Sequence, residues 1–189
     1  FPVYESIEPN IRFWTEIYTK YHTQQGLIHD AEDLRIVYAV VDLKPSNTRK
    51  NRRYNRNIIK KVKKKYSAIL EKLAKGQKPE TKEEKAVAAF FGPNPDPIAL
   101  LEAKENIRFQ RGQSNRFKQG IIRSGKYLDK IKKIFRASKL PEDLAYLPHV
   151  ESSFNYKAYS KFGAAGIWQF TYSTGKRYMK IDYVVDERR

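Results

Sequence analysis

The stretch LPEDLAYLPHVESSFNYKAYSKFGAAGIWQFTYSTGKRYM, Leu140 to Met179, decides how this chain is read. Pro141 suits the first turn of a helix, because its missing N–H costs nothing there and its φ is already helical. Leu144 and Leu147 are expected to face inward from that helix, and Pro148 either kinks it or starts its last turn. Glu151 follows, between Val150 and Phe154. A carboxyl set among apolar groups loses hydration, which raises its pKa and lets it hold a proton near neutrality. That is the electrostatic requirement for protonating a glycosidic oxygen, although a surface glutamate at a helix end has the same local sequence. The GAAG turn, Gly163 to Gly166, allows close backbone approach and positive φ. Trp168, Gln169 and Phe170 then pair aromatic surface with an amide that both donates and accepts. Such a cluster suits the apolar faces and polar edges of sugar rings, and equally suits a core with a capping glutamine.

Upstream of this stretch the chain is mainly helical. Asn10 to Tyr21 places Trp14, Ile17, Tyr18 and Tyr21 at helical spacing, with Asn10 as cap. Leu27 to His29 and Leu34 to Leu43 flank a polar turn and read as a β-hairpin, since IVYAVVDL is rich in β-branched residues. From Arg49 to Lys65 there are ten basic residues and no acidic one. Tyr54, Ile58, Val62, Tyr66, Ile69 and Leu73 run through that region at spacings of three or four, so a helix with a basic outer face is expected. Thr81 to Glu84 fits a capping box. Pro93 to Pro97 forms a rigid turn before a short helix through Leu100 and Leu101, and another helix, carrying Tyr127, Leu128, Ile131 and Phe135 on one face, starts near Ser124. The expected division is residues 1–110, helical with a hairpin at about 27–43, and residues 111–189, a second and incomplete helical domain.

Net charge is +17, from 38 basic against 21 acidic residues, and favours anionic partners: nucleic acid, anionic lipid or an acidic cell-wall polymer. The basic helix face reads as solvated surface or as a polyanion contact. Nothing resembles a zinc finger, a helix-turn-helix or an aromatic RNA-binding strand pair, so nucleic acid is not the expected partner. There is no cysteine, hence no disulfide and no thiolate chemistry. No metal site or cofactor is expected. No apolar run reaches membrane-spanning length. The chain starts at Phe1, so an upstream segment is expected to precede it.

As a whole, LPEDLAYLPHVESSFN, AYSKFGAAGIWQF, STGKRY and DERR, in this order, resemble the lytic transglycosylases of the soluble and membrane-bound type D kind. These have a goose-type lysozyme-like helical domain and cleave peptidoglycan between N-acetylmuramic acid and N-acetylglucosamine. Less specifically, FWTEIY, GLIHD and the run from Arg111 to Gln113 have the look of the segment that precedes the domain in envelope members. The resemblance implies that Glu151 is the single catalytic acid, supported by Ser152. Ser160 and Gln169 match sugar-contacting positions, Gly163 and Gly166 bound the turn between them, and Trp168 supports it. Thr171 stands where a methionine commonly lines an apolar wall near the substrate. Tyr156 replaces a frequent proline and Met179 a frequent glycine, so local turns are expected to differ. His149 is expected to be a packed or surface residue.

The implied reaction uses one glutamate where most glycosidases use two carboxyls. Its product carries a 1,6-anhydromuramyl end. The alternative is a catalytically incomplete peptidoglycan-binding or scaffold module. The family's later Ala-Tyr-Asn element and cross-cleft tyrosine have no counterpart here, so the domain is expected to be truncated, cleaved or completed by a second chain. A periplasmic location is implied, with outer-membrane association through an upstream segment.

Overall fold

Gly26 pairs with Val41 on one side and with Arg111 on the other, which makes its strand the centre of a three-stranded antiparallel sheet. A computed structural model describes residues 3–189. Its sheet has the order β2 (Val37–Asp42), β1 (Gln25–Asp30), β3 (Ile107–Arg111). The expected hairpin is therefore present, but it is two-thirds of a sheet whose third strand returns from far along the sequence. Side chains alternate across a strand, yet β1 is buried without interruption from Gly26 to Asp30 because both of its faces are covered.

One face meets the helix α1 (Glu8–Thr19), where Phe13, Ile17 and Leu27 form a small core with Tyr21, Leu34 and Val37 at its edge. The inward face of α1 is thus Phe13 and Ile17, and the expected inward residue Trp14 is 41% exposed. Its cap also differs from expectation. Ile7 precedes the helix without a capping side chain, and Pro9 lies in the first turn, with Asn10 already inside.

The larger core lies on the opposite face, beneath α2 (Arg49–Ala74). Tyr66, Ile69, Leu70 and Leu73 are buried against Ile28, Tyr38, Val41 and Ile107, with Ile58 and Val62 partly buried beside them. The apolar stripe fails only at its start. Tyr54 is exposed, and Asn55 is buried in its place, its Nδ2 donating to the Lys44 carbonyl and its Oδ1 accepting from the Lys44 N–H to hold the β2–α2 connection. The helices α3 (Lys82–Phe90) and α4 (Pro97–Glu105) close the same core with Val87, Leu100 and Ala103.

Thr81 and Glu84 form the full capping box at α3: Thr81 Oγ1 accepts from the Glu84 N–H, and Glu84 accepts from the Thr81 N–H. Backbone donors, then the Lys72 ammonium, hold the Glu84 carboxyl down at a pKa of about 2. Thr81→Ala is expected to cost about 1 kcal/mol in urea unfolding, whereas Thr81→Ser should be close to neutral.

The chain divides into two compact units, through Ser114 and from Asn115 to Arg189. The second contains α5 from its second residue (helix Ser114–Ser124), α6 (Leu128–Ala137), a 3₁₀ turn (Glu142–Tyr146), α7 (Leu147–Glu151) and the one-turn α8 (Tyr172–Gly175). Helices take 50% of the residues and strands 12%, so the chain is mainly α-helical with a small open sheet. No helix among the described residues is long and apolar enough to cross a membrane.

Candidate active site

Pro148 decides the geometry around Glu151. The segment after Pro141 begins as a 3₁₀ turn and restarts at Leu147 as α7, with Pro148 in its first turn. Changing the period from three residues per turn to 3.6 rotates the inward face. Ala145, Pro148 and His149 are buried, while Leu147, expected to face inward, is 46% exposed. Glu151 is the last residue of α7 and is exposed, so the desolvation expected from its apolar neighbours is not supplied by the described residues.

The chain reverses directly after Glu151. Ser153 and Phe154 both take the left-handed conformation, at φ 53° and 52°. The N–H groups of Ser152 and Phe154 both donate to the Pro148 carbonyl, at 3.2 and 3.1 Å, closing the helix end. Each left-handed residue costs about 1–2 kcal/mol. Complete burial of the Phe154 ring, which stabilises by roughly 1.5–3 kcal/mol, offsets much of this. Arg123 Nε donates to the Ser153 carbonyl at 2.8 Å, and Gly120 of α5 lets that turn approach.

Ser152 ties the two halves of the motif together: its hydroxyl donates to the Ile167 carbonyl at 2.7 Å, fastening the residue beside Glu151 to the glycine loop. Within that loop Ser160 Oγ accepts from the Phe162 and Ala164 N–H groups at 3.2 and 3.0 Å. Gly163 and Gly166 are both at φ 78°, and Gln169, at φ 54°, donates from Nε2 to the Gly166 carbonyl at 2.8 Å. Ala165 bridges Tyr159 on one side and Phe170 on the other. Trp168 is partly buried, with its ring 5.8 Å from Phe135. Thr171 is exposed and caps α8. Gln169 and Gly166 are therefore bonded directly, Ser152 reaches the adjacent Ile167, Gly163 and Ser160 bond to each other within the same loop, and Thr171 stands at its far end.

Arg188 is a residue that sequence reasoning quoted without a role. It is 7% exposed, pairs with Asp186 through two hydrogen bonds, and donates to the Gly163 and Phe170 carbonyls at 2.9 and 3.3 Å. Pairing with Arg188 holds the Asp186 carboxyl below its usual range. The charged pair two residues apart was the available signal.

Beside α7 an apolar hollow of about 530 Å³ is lined by Phe117, Ile121, Leu128, Tyr146, His149 and Val150. His149 is buried, its ring 4.6 Å from Phe154 and 5.4 Å from Phe117, and its Nδ1 has no hydrogen-bond partner among the described residues. Burial lowers its pKa. The unfolded chain then takes up a proton near the ordinary value of about 6.5 that the folded chain still refuses. His149 consequently removes no stability above that pH, and stability is lost as pH falls from there through the lowered folded value. Urea midpoints measured from mildly alkaline to mildly acidic pH should fall more steeply for wild type than for His149→Phe, with the two closest at alkaline pH.

Residues 130–189 match the family model described as the Transglycosylase SLT domain. No curated protein matches the chain significantly. The C-terminal region is consistent with part of a lysozyme-like catalytic module. The transglycosylase match takes in Glu151, Ser152, the glycine loop and the Asp186–Arg188 pair, and peptidoglycan is the partner consistent with it. It begins within α6 and leaves the sheet-bearing unit outside.

Proposed function

We propose that this chain is a peptidoglycan-directed module whose residues 130–189 bind glycan strands and present Glu151 as the proton-transfer group of a lytic transglycosylase site. One observation carries the reading: within the transglycosylase-matching stretch, Ser152, the residue after Glu151, fastens the end of α7 to the glycine loop. On the same stretch Phe162 is 91% exposed and offers an apolar face to a sugar ring, while Tyr156, Tyr159 and Tyr172 are exposed with a lysine or arginine over each ring. Ser160 and Gln169 set the loop backbone that would meet the sugar edges, and Thr171 borders it.

Because Glu151 is exposed, these residues by themselves are expected to bind glycan with slow turnover. This favours a catalytically incomplete, glycan-binding role for the chain as it stands. Where bound glycan or additional protein covers the carboxyl, loss of hydration favours its protonated form. Glu151 then donates its proton to the oxygen bridging N-acetylmuramic acid and N-acetylglucosamine, while the muramyl acetamido oxygen stabilises the positive charge at the anomeric carbon. The carboxylate next takes the proton of the muramyl 6-hydroxyl, whose oxygen attacks that carbon and closes the 1,6-anhydro ring. Acid and base are the same group, and no water is consumed. The periplasm is the compartment that holds such a substrate.

The test is co-sedimentation of the 189-residue chain with purified peptidoglycan at high salt, beside Gly166→Ala, which disrupts the loop without altering charge. Wild type should pellet and the variant should not. Equal pelleting of both would remove the loop from the binding site.

A further inference from the structure

The cations of α2 are divided into two groups. Toward its C-terminal half they are neutralised: Lys65 pairs with Glu83, Lys72 with Glu80 and Glu84, and Lys75 with Glu71, which Lys104 also reaches. Toward its N-terminal half, Arg49, Lys50, Arg53, Arg56, Lys60 and Lys64 are exposed and form no ion pair among the described residues.

Stability does not account for this arrangement. Cations in the first turn oppose the helix dipole, and α2 has no acidic residue there to relieve them. Arg49 and Arg53, Arg56 and Lys60, and Lys60 and Lys64 also stand four residues apart, where like charges repel. The partly buried Lys63 lies near Arg108 of β3, extending the positive field. An anionic partner would turn each of these costs into attraction.

The shape of the strip narrows the partner. From Arg49 to Lys64 it is a convex helical ridge about 22 Å long, with the sheet behind it. Tyr54 is the one large apolar side chain exposed there among the described residues, and the Lys44 ammonium sits 4.4 Å above its ring. Stacking with unpaired nucleobases needs free aromatic faces, and insertion into a bilayer needs an apolar face; the ridge has neither. A convex row of long cationic side chains instead fits a planar array of anionic headgroups, contacted without insertion.

The geometry points to the N-terminal half of α2 as an adsorption surface for anionic phospholipid membranes, separate from the Glu151 region. The contact is electrostatic and reversible, and it positions the chain at a membrane face.

The test is partition of the 189-residue chain onto vesicles of neutral phosphatidylcholine, or of the same lipid with about one-third phosphatidylglycerol, at roughly 0.05 and 0.5 M salt. Binding is expected on the anionic vesicles at low salt and is lost at high salt. Combining Arg49→Gln, Arg53→Gln, Arg56→Gln and Lys60→Gln should weaken partition by about fivefold per residue, several hundredfold together, without lowering the thermal midpoint. Changing the three arginines to lysine should leave partition near wild type, which separates charge from fold. Glu151→Gln should leave it unchanged, so this result is independent of the glycan reading. Equal partition onto neutral vesicles, retained binding by the fourfold variant, or association with duplex DNA or peptidoglycan but not with anionic vesicles would overturn the assignment.

Discussion

Gly166→Ala is expected to destabilise the second unit by about 3 kcal/mol or more, at the severe end for a single substitution. Two effects combine. At φ 78° the left-handed backbone penalises any side chain, by about 1–2 kcal/mol. A Cβ would also overlap the Arg188 carbonyl oxygen and fall 2.5 Å from its carbon, a backbone overlap that rotamer changes cannot relieve. Relief requires moving the segment whose guanidinium holds the Gly163 and Phe170 carbonyls, so the loop is lost together with its clamp. Gly163→Ala provides the comparison. It has the same φ, but the nearest atom to its added Cβ is the Tyr159 hydroxyl oxygen at 3.6 Å, so only the backbone cost of about 1–2 kcal/mol remains. Amide exchange at Ala165 and Gly166, whose N–H groups donate to Phe170 and Ala158, should accelerate far more in Gly166→Ala than in Gly163→Ala. Similar protection in the two variants would show that the Arg188 contact does not constrain the loop.

Glu151→Gln is expected to lower glycan turnover by about 10²–10⁴-fold, the range for removing one general acid or base. It should leave peptidoglycan binding within about twofold, since the side chain is exposed and its replacement has the same shape. Ser152→Ala tests the same geometry indirectly. Loss of the bond to the Ile167 carbonyl should destabilise by about 1 kcal/mol and lower turnover without abolishing it. A Glu151→Gln variant with wild-type turnover would move the proton-transfer role elsewhere.

Local chemistry explains which parts of the fold were legible in the sequence. The Thr81–Glu84 box and the long stripe of α2 were readable because caps and helical periodicity act between near neighbours. The strand β3 was missed because IRFQR is short and acquires meaning only through pairing with β1. The helix α5 was missed because Gly120 interrupts its pattern, and its reason for being there, the approach of Ser153, lies far along the chain. Trp14 and Phe13 both fit helical spacing in α1, and the partner Leu27 selects Phe13. Around Glu151 the same limit applies. The motif identified which residues cluster, but apolar neighbours in sequence did not make Glu151 buried, because it terminates a helix where the chain turns away. The inward bonding of Ser160 and Gln169 was likewise invisible without the loop backbone.

The most direct test of the account is mass spectrometry of soluble products from purified peptidoglycan incubated with wild type and Glu151→Gln. Slow release of 1,6-anhydromuramyl ends by wild type, with none from the variant, is the predicted result. Reducing muramic acid ends, or equal release by Glu151→Gln, would contradict it.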